Sequence, residues 1–449
     1  MERGDNTRRA SHEIEREDYV STGDIYIDDD PDIPLFNSIR EMIDDLPPIS
    51  NDCCIFRVPK RIRETNEKAY TPQVVSIGPL HHGEEHLQEM ERHKPRYLQS
   101  FLNHTDRVNL ESCIRVVKEW EERSRSYYEE SSELDSDEFV KMILLDSSFI
   151  IEVMWRFLFN HTPGESMDYL DRQIRINDLC NDVILIENQL PFFVLEGLFN
   201  LAFPAISVST QPEYSFLMLS IIYFAFFGIV RDIKQSFSSR EVKHFVDLLR
   251  LCHLPSSLRS APSNSVNYVP IRNARTLRDA GIKFKKGPSN CLLDIRHVMT
   301  RLEIPQLILS NWTEPLLRNL TVLEQFYYPY DSYFIDYIHF MDSLIDTAKD
   351  ADILIQSGIF ENYIGDSTTV AALFNNFPNE VSLWGPNYYF CGISEKLNQY
   401  CSDRSNKWKM TFKRDYFSTP WRSASTSAAV ILIGLTIIQT ICSILSSMQ

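Results

Sequence analysis

The chain has 449 residues, of which 43% are hydrophobic and 12% aromatic, and its formal net charge at pH 7 is −17. This content is ample for a large core, while only 14 glycines argue against a glycine-punctuated all-β protein. A chain with so negative a net charge is a poor match for phosphate backbones, which are bound by a basic face, so nucleic acid is not a predicted partner. The nine cysteines, an odd number without a CxxC pair, indicate a reducing compartment.

The N-terminal residues 1–33 are polar, carry an acidic run at 28–30 and show no signal peptide. They contain too few apolar residues to fold alone, which predicts a disordered acidic arm. From Pro34 onward, Leu35, Ile39 and Ile43 recur at helical spacing and begin a helical body predicted over residues 34–420. A stretch rich in serine and proline predicts a seam between two halves of this body at 255–270.

Histidines cluster near the beginning of the body, where a predicted turn leads into a helix. His81 and His82 follow Gly78-Pro79-Leu80, and His86 and His93 come soon after. Imidazoles are common metal ligands, but Gly83 interrupts the helical spacing and no cysteine or paired carboxylate completes a site. Hydrogen-bonded turn histidines are therefore favoured over a metal site, and no cofactor is predicted.

A very apolar helix is predicted from Phe139 to about Phe159, capped by residues 136–138. Its apolar residues cover more than one face, which is typical of a central core helix. Asp146 and Glu152 interrupt it. Such an acid can be a catalytic group with a raised pKa, but an acid that is paired with arginine or caps a neighbour is commoner and is favoured here.

The most distinctive internal motif is Glu187-Asn188-Gln189, which precedes a helix predicted to begin around Pro191. Two interpretations stay open. The triplet can be a catalytic acid with orienting amides, or a buried hydrogen-bond hub that joins two helices. No nucleophile or second acid stands at readable spacing, so the hub is favoured; its candidate members are Glu187, Asn188, Gln189, Asp146, His81 and His82.

Several long stretches resemble the plant "domain of unknown function 247" family. They are CCIFRVP at 53–59, NEKAYTPQVVSIGPLHHG at 66–83, DEFVKMILLD at 137–146, ENQLPFFVLE at 187–196, and the KWK and RDYF motifs at 407–409 and 414–417. The resemblance covers the chain from about residue 34 to its end. It implies a largely helical body with a C-terminal membrane segment. It also implies a plant setting, in which some grass members are associated with pollen-side self-incompatibility.

Two further stretches bear on topology and surface. The uncharged run 214–230 is either a buried helix, which is favoured, or a second membrane segment. Strand-like spacing between 282 and 309 predicts a small antiparallel β element. Lys283, Lys285 and Lys286 form a short basic patch there, which could touch anionic lipid but is favoured as a solvated turn.

The C-terminal residues 424–449 contain no charged residue. Residues 424–446 reach the ~20 residues that a helix needs to cross a bilayer, which predicts a transmembrane anchor and a short tail, 447–449. Lysines, arginines and aromatic residues between 404 and 422 place the body on the cytosolic side, and the predicted location is the plasma membrane. Residues at the centre of the predicted anchor include Ala428, Ile431, Leu435 and Ile438.

The sequence thus predicts a mainly α protein: a large multi-helix body with a small antiparallel β element and one C-terminal transmembrane helix. No catalytic motif is found, so no enzyme is predicted. The leading hypothesis is a membrane-anchored module for protein interaction, recognition or signalling, whose partners are membrane lipid and another protein. The alternative is a membrane-associated enzyme that uses the Glu187, Asn188 and Gln189 cluster.

Overall fold

A computed structural model describes residues 33–44, 52–104, 109–130, 132–159, 176–203, 215–230, 241–255, 268–377, 388–403, 411 and 420–447. Most of the predicted arm and seam lie outside these residues. The described part is mainly helical, as predicted. Its helices are α1 (Ile33–Asp44), α2 (Lys60–Arg63), α3 (Gln88–Glu91), α4 (Lys94–Leu102), α5 (Leu110–Glu119), α6 (Glu121–Arg125), α7 (Ser136–Phe159), α8 (Ile176–Val183), α9 (Phe192–Ala202), α10 (Phe216–Phe226), α11 (Phe245–His253), α12 (Ala274–Ala280), α13 (Thr313–Phe326), α14 (Tyr333–Leu344), α15 (Ala348–Gln356), α16 (Ser367–Asn375), α17 (Cys391–Ser402) and α18 (Pro420–Ser447). The strands are β1 (Lys283–Lys286), β2 (Arg296–Val298), β3 (Arg301–Ile304), β4 (Leu307–Leu309) and β5 (Phe360–Asn362).

Helix α1 belongs to one compact unit, residues 1–49, and the other elements belong to a second unit, residues 50–449. In α1 the apolar residues predicted to form a helical face, among them Leu35, Ile39 and Met42, are exposed. In the second unit α7 is the central helix, as its apolar pattern predicts. Helices α4, α5, α9 and α10 all pack against it, and Phe139 and Phe149 within it are fully buried. The carboxylate of Asp135 caps its first turn by accepting from Glu138 N–H at 2.8 Å.

The predicted β element is present as two small sheets. Strands β2 and β3 pair antiparallel, as expected, whereas β1 joins β3 in parallel and β4 pairs with β5 in parallel. The alternation of apolar and polar residues indicates that a strand is half-buried, but it does not show whether the neighbouring strand runs parallel or antiparallel. The parallel pairings were therefore not predicted. Helix α17 packs against β2 and α12.

The run 214–230 contains α10, which has 11 residues and is largely buried against α7 and α9. A helix of that length is about 17 Å long, which is too short for the ~30 Å hydrocarbon core of a bilayer. The prediction of a buried helix is therefore confirmed.

The described residues contain one helix long and apolar enough to cross a membrane, at Ala424–Ser446, with a mean hydropathy of 2.4 and none of its apolar window buried. Ile431, Leu435 and Ile438 are each more than half exposed. The hydroxyls in this helix donate to the carbonyl four residues earlier, as with Thr436 to Leu432 O and Thr440 to Thr436 O, both at 2.8 Å. These bonds satisfy groups that would be costly to expose to lipid.

Candidate functional site: a buried polar hub

The polar triplet Glu187, Asn188 and Gln189 occupies the tight turn between α8 and α9. Pro191, which has no N–H to leave unpaired, directly precedes α9. The turn is closed by Asn188 N–H, which donates to Leu185 O at 3.0 Å. Each of the three side chains is only 1% exposed. Their polar atoms must therefore find partners inside the protein.

The Asn188 side chain uses both its oxygen and its nitrogen. Its Oδ1 accepts from Ile77 N–H at 2.7 Å. Its Nδ2 donates to Val75 O at 3.0 Å and to Asp182 O at 3.1 Å. Such a set of partners fixes the orientation of the amide, because an exchange of oxygen and nitrogen would bring like groups together at all three contacts.

Gln189 joins the turn to a third helix. Its Nε2 donates to Val183 O and to Leu185 O, both at 2.7 Å, and its Oε1 accepts from Phe245 N–H, at the start of α11, at 2.9 Å. The Gln189 carbonyl accepts from the Tyr128 hydroxyl at 3.0 Å. Gln189 therefore links α8, the turn and α11.

The extended segment 73–78 takes its backbone hydrogen bonds from side chains of other elements. Asp182, near the end of α8, accepts from the N–H groups of Gln73, Val74 and Val75 at 2.9, 2.7 and 2.9 Å. Ile77 is held by Asn188, as described above. Side chains thus provide hydrogen-bond partners for backbone N–H groups of this segment, which belongs to neither a helix nor a sheet, while it runs through the interior.

Asp146 of α7 holds the end of this segment. Its Oδ2 accepts from Gly78 N–H at 2.8 Å, and its Oδ1 pairs with Lys94 Nζ at 2.5 Å. Lys94 is fully buried and also donates to Ser76 O and to Glu91. Burial raises the pKa of Asp146, the Lys94 charge opposes this rise, and the Glu91 carboxylate adds to it. The ion pair therefore stabilises a structural contact between α4, α7 and segment 73–78.

Glu187 is the charged member of the triplet, and its carboxylate is fully buried. Oε1 accepts from Arg63 Nη1 at 2.5 Å and from Val58 N–H at 2.9 Å. Oε2 lies 3.1 Å from His81 Nε2. The other imidazole nitrogen, Nδ1, lies 2.6 Å from Oε1 of Glu84. His81 is therefore placed between a partly exposed carboxylate and a buried one.

The environment of Glu187 favours its ionised form. Burial acts to raise the pKa of this carboxyl, but the His81 hydrogen bond, the Arg63 charge and the Val58 N–H together hold it below its ordinary value. A general acid at neutral pH needs the opposite shift. His81 lies between Glu84 and Glu187, but a substrate has no access to the fully buried Glu187 carboxylate in this conformation.

The second acid of α7, Glu152, is also paired. Its carboxylate contacts Arg156 Nε and His104 Nε2, both at 2.6 Å, and accepts from the Ser100 hydroxyl at 2.7 Å. Burial acts to raise the pKa of Glu152, and the bonds from His104, Ser100 and Arg156 lower it below its ordinary value. Asp146 is thus paired with Lys94 and Glu152 with Arg156; the sequence favoured pairing with arginine or capping of a neighbour, and only the partner of Glu152 is an arginine.

His82 is the one candidate that does not join the hub, because its side chain is exposed beside Gly83. Of the other two histidines in the cluster, His86 lies 3.1 Å from Pro72 O through Nε2. Among the described residues no group of three or more His, Cys, Asp or Glu side chains is arranged to hold a metal ion. The four histidines do not converge.

Three residues of the hub were not singled out from the sequence: Asp182, Lys94 and Arg63. Each lies in or beside a helix whose polar residues look like an ordinary solvated face. For Asp182 the sequence offers one signal of a special role: it is an acidic residue in the last turn of α8, where the helix dipole disfavours a negative charge.

The comparisons with known proteins give the family. The family model described as a plant protein of unknown function, DUF247, matches residues 55–435. This chain belongs to the DUF247 family. The chain is also similar to a UPF0481 protein of Arabidopsis thaliana, with 31% identity over 427 residues, 88% of this chain and 87% of the relative. A putative UPF0481 protein of the same plant is 28% identical over 179 residues, 40% of this chain and 31% of that relative. No solved structure matches the chain.

Three of the stretches that carry the DUF247 resemblance meet at the hub. Segment 73–78 lies within the motif at 66–83, Asp146 ends the motif at 137–146, and Glu187, Asn188 and Gln189 begin the motif at 187–196. The hydrogen bonds described above join all three stretches directly. In this DUF247 chain the motif residues therefore have a structural role, because they join parts of the chain that are far apart in sequence.

Two glycines of the motif at 66–83 provide a test of this tie. Gly78 and Gly83 both adopt positive φ, +77° and +86°, but a Cβ at Gly78 would stand 2.5 Å from Gln189 O whereas a Cβ at Gly83 has nothing within 4 Å. Gly83→Ala is expected to cost roughly 1–2 kcal/mol of unfolding free energy from backbone strain alone. Gly78→Ala adds the displacement of the hub turn, roughly 1–3 kcal/mol more. Urea-dependent proteolysis of the two full-length variants measures the difference, and equal losses would contradict the close approach.

Proposed function

We propose that this chain is a membrane-anchored plant protein whose helical body, on the cytosolic side of the plasma membrane, serves as a protein-interaction module in recognition or signalling. One observation carries the proposal: the polar residues that offered a catalytic site are buried and bonded to the fold. Glu187, Asn188 and Gln189 each hold a distant part of the chain. The part of the body that remains available for function is therefore its outer surface.

The anchor in this proposal is Ala424–Ser446. Its length and hydropathy suit a span, and its hydroxyls are bonded within the helix. The positively charged residues that precede it in the sequence support a cytosolic body through the positive-inside bias.

The Asn-x-Thr sequons supply a check on this orientation. Asn103 and Asn311 are exposed and would be available for glycosylation in a lumenal body. Asn319 is fully buried, with its Nδ2 donating to Ala69 O and Pro315 O. A glycan at Asn319 is incompatible with this fold, so among the described residues Asn103 and Asn311 report on topology; the fourth sequon, at Asn160, lies outside the described residues. The cytosolic orientation predicts that both stay bare in plant membranes.

Proximity labelling tests the interaction itself. A labelling enzyme fused to the N-terminus of the full-length chain is expected to mark a reproducible set of membrane-proximal proteins in plant cells. The matched control carries the same enzyme joined to residues 420–449 only, so it shares the membrane but lacks the body. Body-dependent neighbours are expected because recognition would require the outer surface of the helical body.

Two results would contradict the proposal. Identical neighbour sets for the full chain and the control would show that the body adds no interaction. Glycans on Asn103 or Asn311 would place the body on the lumenal side. Either result is independent of the stability of the hub, which the substitutions in the Discussion measure separately.

A further inference from the structure

The three-stranded sheet presents a basic outward face in an otherwise acidic chain. In register, Lys283 lies opposite Arg301, which lies opposite Val298, and Lys285 lies opposite Glu303, which lies opposite Arg296. Paired residues share one side of a sheet. The other side is turned inward and carries the buried Phe284 and Leu302. We call the outward residues Lys283, Lys285, Arg296, Arg301 and Glu303 the basic face.

Within the described part of the chain, three cations of the basic face have no protein partner. Lys283, Lys285 and Arg301 are exposed and form no ion pair or side-chain hydrogen bond with the described part of the chain. Arg296, in contrast, is paired with Asp294 at 2.5 Å. Like charges directly opposite each other, as Lys283 and Arg301 are, destabilise a sheet. In a chain of net charge −17, a persistent positive patch of this kind is suited to a negatively charged partner surface.

The turn between β2 and β3 adds apolar surface beside these charges. Met299 is 86% exposed and Val298 is 46% exposed. Met299 also has a positive φ of 54°, a region that costs a non-glycine residue energy. We call Val298 and Met299 the hairpin tip. Exposed apolar side chains next to lysine and arginine are the combination that enters the headgroup region of a bilayer.

The position of this sheet also points to the membrane. Helix α17, the last described helix before the candidate span, packs on β2, and its Tyr400 ring lies 6.4 Å from the ring of His297. The chain leaves α17 at Asp403, about 20 residues before Ala424, so its reach is at most ~70 Å. By sequence, that interval contains further lysines and arginines. The sheet therefore stands where the chain departs toward the span.

We infer that the basic face and hairpin tip dock onto anionic lipid of the same membrane that holds Ala424–Ser446, with Met299 entering the headgroup region. This inference rests on the proposed membrane anchoring. An acidic protein would match the charges of Lys283, Lys285 and Arg301. It would not explain why the sheet packs against α17, the helix from which the chain continues to the span. Lipid also accounts for the apolar hairpin tip. Docking would fix the orientation of the body relative to the bilayer, which the span alone does not.

The test uses the full-length chain in lipid nanodiscs, with the photo-crosslinking residue p-benzoylphenylalanine in place of Met299. Discs of phosphatidylcholine are compared with discs that also contain phosphatidylserine. Crosslinks to lipid are expected in the anionic discs and are expected to fall at high salt, because screening weakens exposed charges. The salt comparison needs no further substitution, so it remains informative even if a charge variant fails to fold.

Charge variants locate the docking surface. The triple variant Lys283→Gln, Lys285→Gln and Arg301→Gln removes about 1 kcal/mol per cation, or about fivefold each and roughly a hundredfold together, from the ratio of docked to undocked chains. The matched control removes three other exposed cations. Its substitutions are Lys60→Gln, Arg61→Gln and Lys68→Gln.

The outcomes separate docking from anchoring. Equal lipid crosslinking in both disc types, an equal loss in the control variant, or crosslinks to protein instead of lipid would overturn the docking inference while the anchor stands. If the chain washes off the discs in alkaline carbonate, the anchor itself fails and docking fails with it. Crosslinks that need anionic lipid and the three cations support the inference.

Discussion

Replacing Gln189 by Glu is expected to lower the free energy of unfolding by roughly 3–5 kcal/mol, the range seen when a buried charge is left uncompensated. The substitution keeps the shape of the side chain. It places a carboxylate oxygen where Nε2 now donates to Val183 O and Leu185 O, both at 2.7 Å. Two attractive contacts become repulsive in a site that is 1% exposed. Urea-dependent proteolysis of the full-length protein in detergent measures the loss.

The control for this variant is Gln399→Glu, the same change at an exposed position of α17. A surface substitution of that kind is expected to stay within about 0.5 kcal/mol. The loss at Gln189→Glu should also shrink on acidification, because a protonated carboxyl can donate one of the two missing bonds. If Gln189→Glu folds as well as the control but abolishes a function of the protein, the structural role is wrong and the enzyme hypothesis gains support.

Asp336→Asn is expected to stabilise the protein at alkaline pH by an amount on the order of 2–5 kcal/mol and to have little effect near pH 4. Asp336 lies in α14, is 5% exposed and accepts from Tyr389 N–H at 2.6 Å. Burial raises the pKa of Asp336 to about 8, a rise that the Tyr389 bond opposes and the Glu324 charge increases. Asparagine can accept the same bond without ever ionising.

The direction of this pH dependence follows from the number of protons that the folded and unfolded states bind. Between the unfolded pKa of Asp336, about 4, and its folded pKa of about 8, the folded protein binds more protons than the unfolded chain. Stability from this group is therefore complete below the unfolded pKa and is lost as pH rises toward 8. Glu324, whose pKa burial raises to about 7, stays in both proteins, so the stability difference between variant and wild type reports the ionisation of Asp336 together with its charge coupling to Glu324.

Urea midpoints measured across this pH range check the prediction. The matched control is Asp403→Asn, at an exposed position, and it is expected to shift neither the midpoint nor its pH dependence. A variant that follows the same pH curve as the wild type would mean that Asp336 is already ionised in the folded protein at neutral pH.

The helices could be predicted from the sequence because their apolar residues repeat with a clear period. The central helix α7, the short buried α10 and the long apolar run Ala424–Ser446 within α18 all follow from the spacing and length of apolar runs. The direction of strand pairing could not be predicted. Parallel pairing of β1 with β3 depends on the path of the chain between them, which alternation along a strand does not record.

Some members of the hub could be predicted from the sequence, but three of its residues and the connections between its members could not. Polar residues in apolar surroundings marked Asp146 and Glu187, because a buried polar group needs a partner. The partners Asp182, Lys94 and Arg63 lie far from them in sequence, in stretches whose composition is typical of an exposed helix face. His82 shows the converse: its neighbour His81 is buried, and one residue further along the same turn the side chain is exposed.

The tie between segment 73–78 and distant side chains has a consequence for biosynthesis. The N–H of Ile77 pairs with a side-chain amide that lies 111 residues later in the chain, and Ala69 O pairs with Asn319, 250 residues later. At about 5–20 residues per second, the ribosome needs roughly 12–50 seconds to supply that last partner. Helix α7 is synthesised within this interval, before its neighbours α9 and α10. The apolar residues of α7 therefore remain without their complete surroundings until α10 has been made, and we expect the nascent chain to be a client for chaperones over that time.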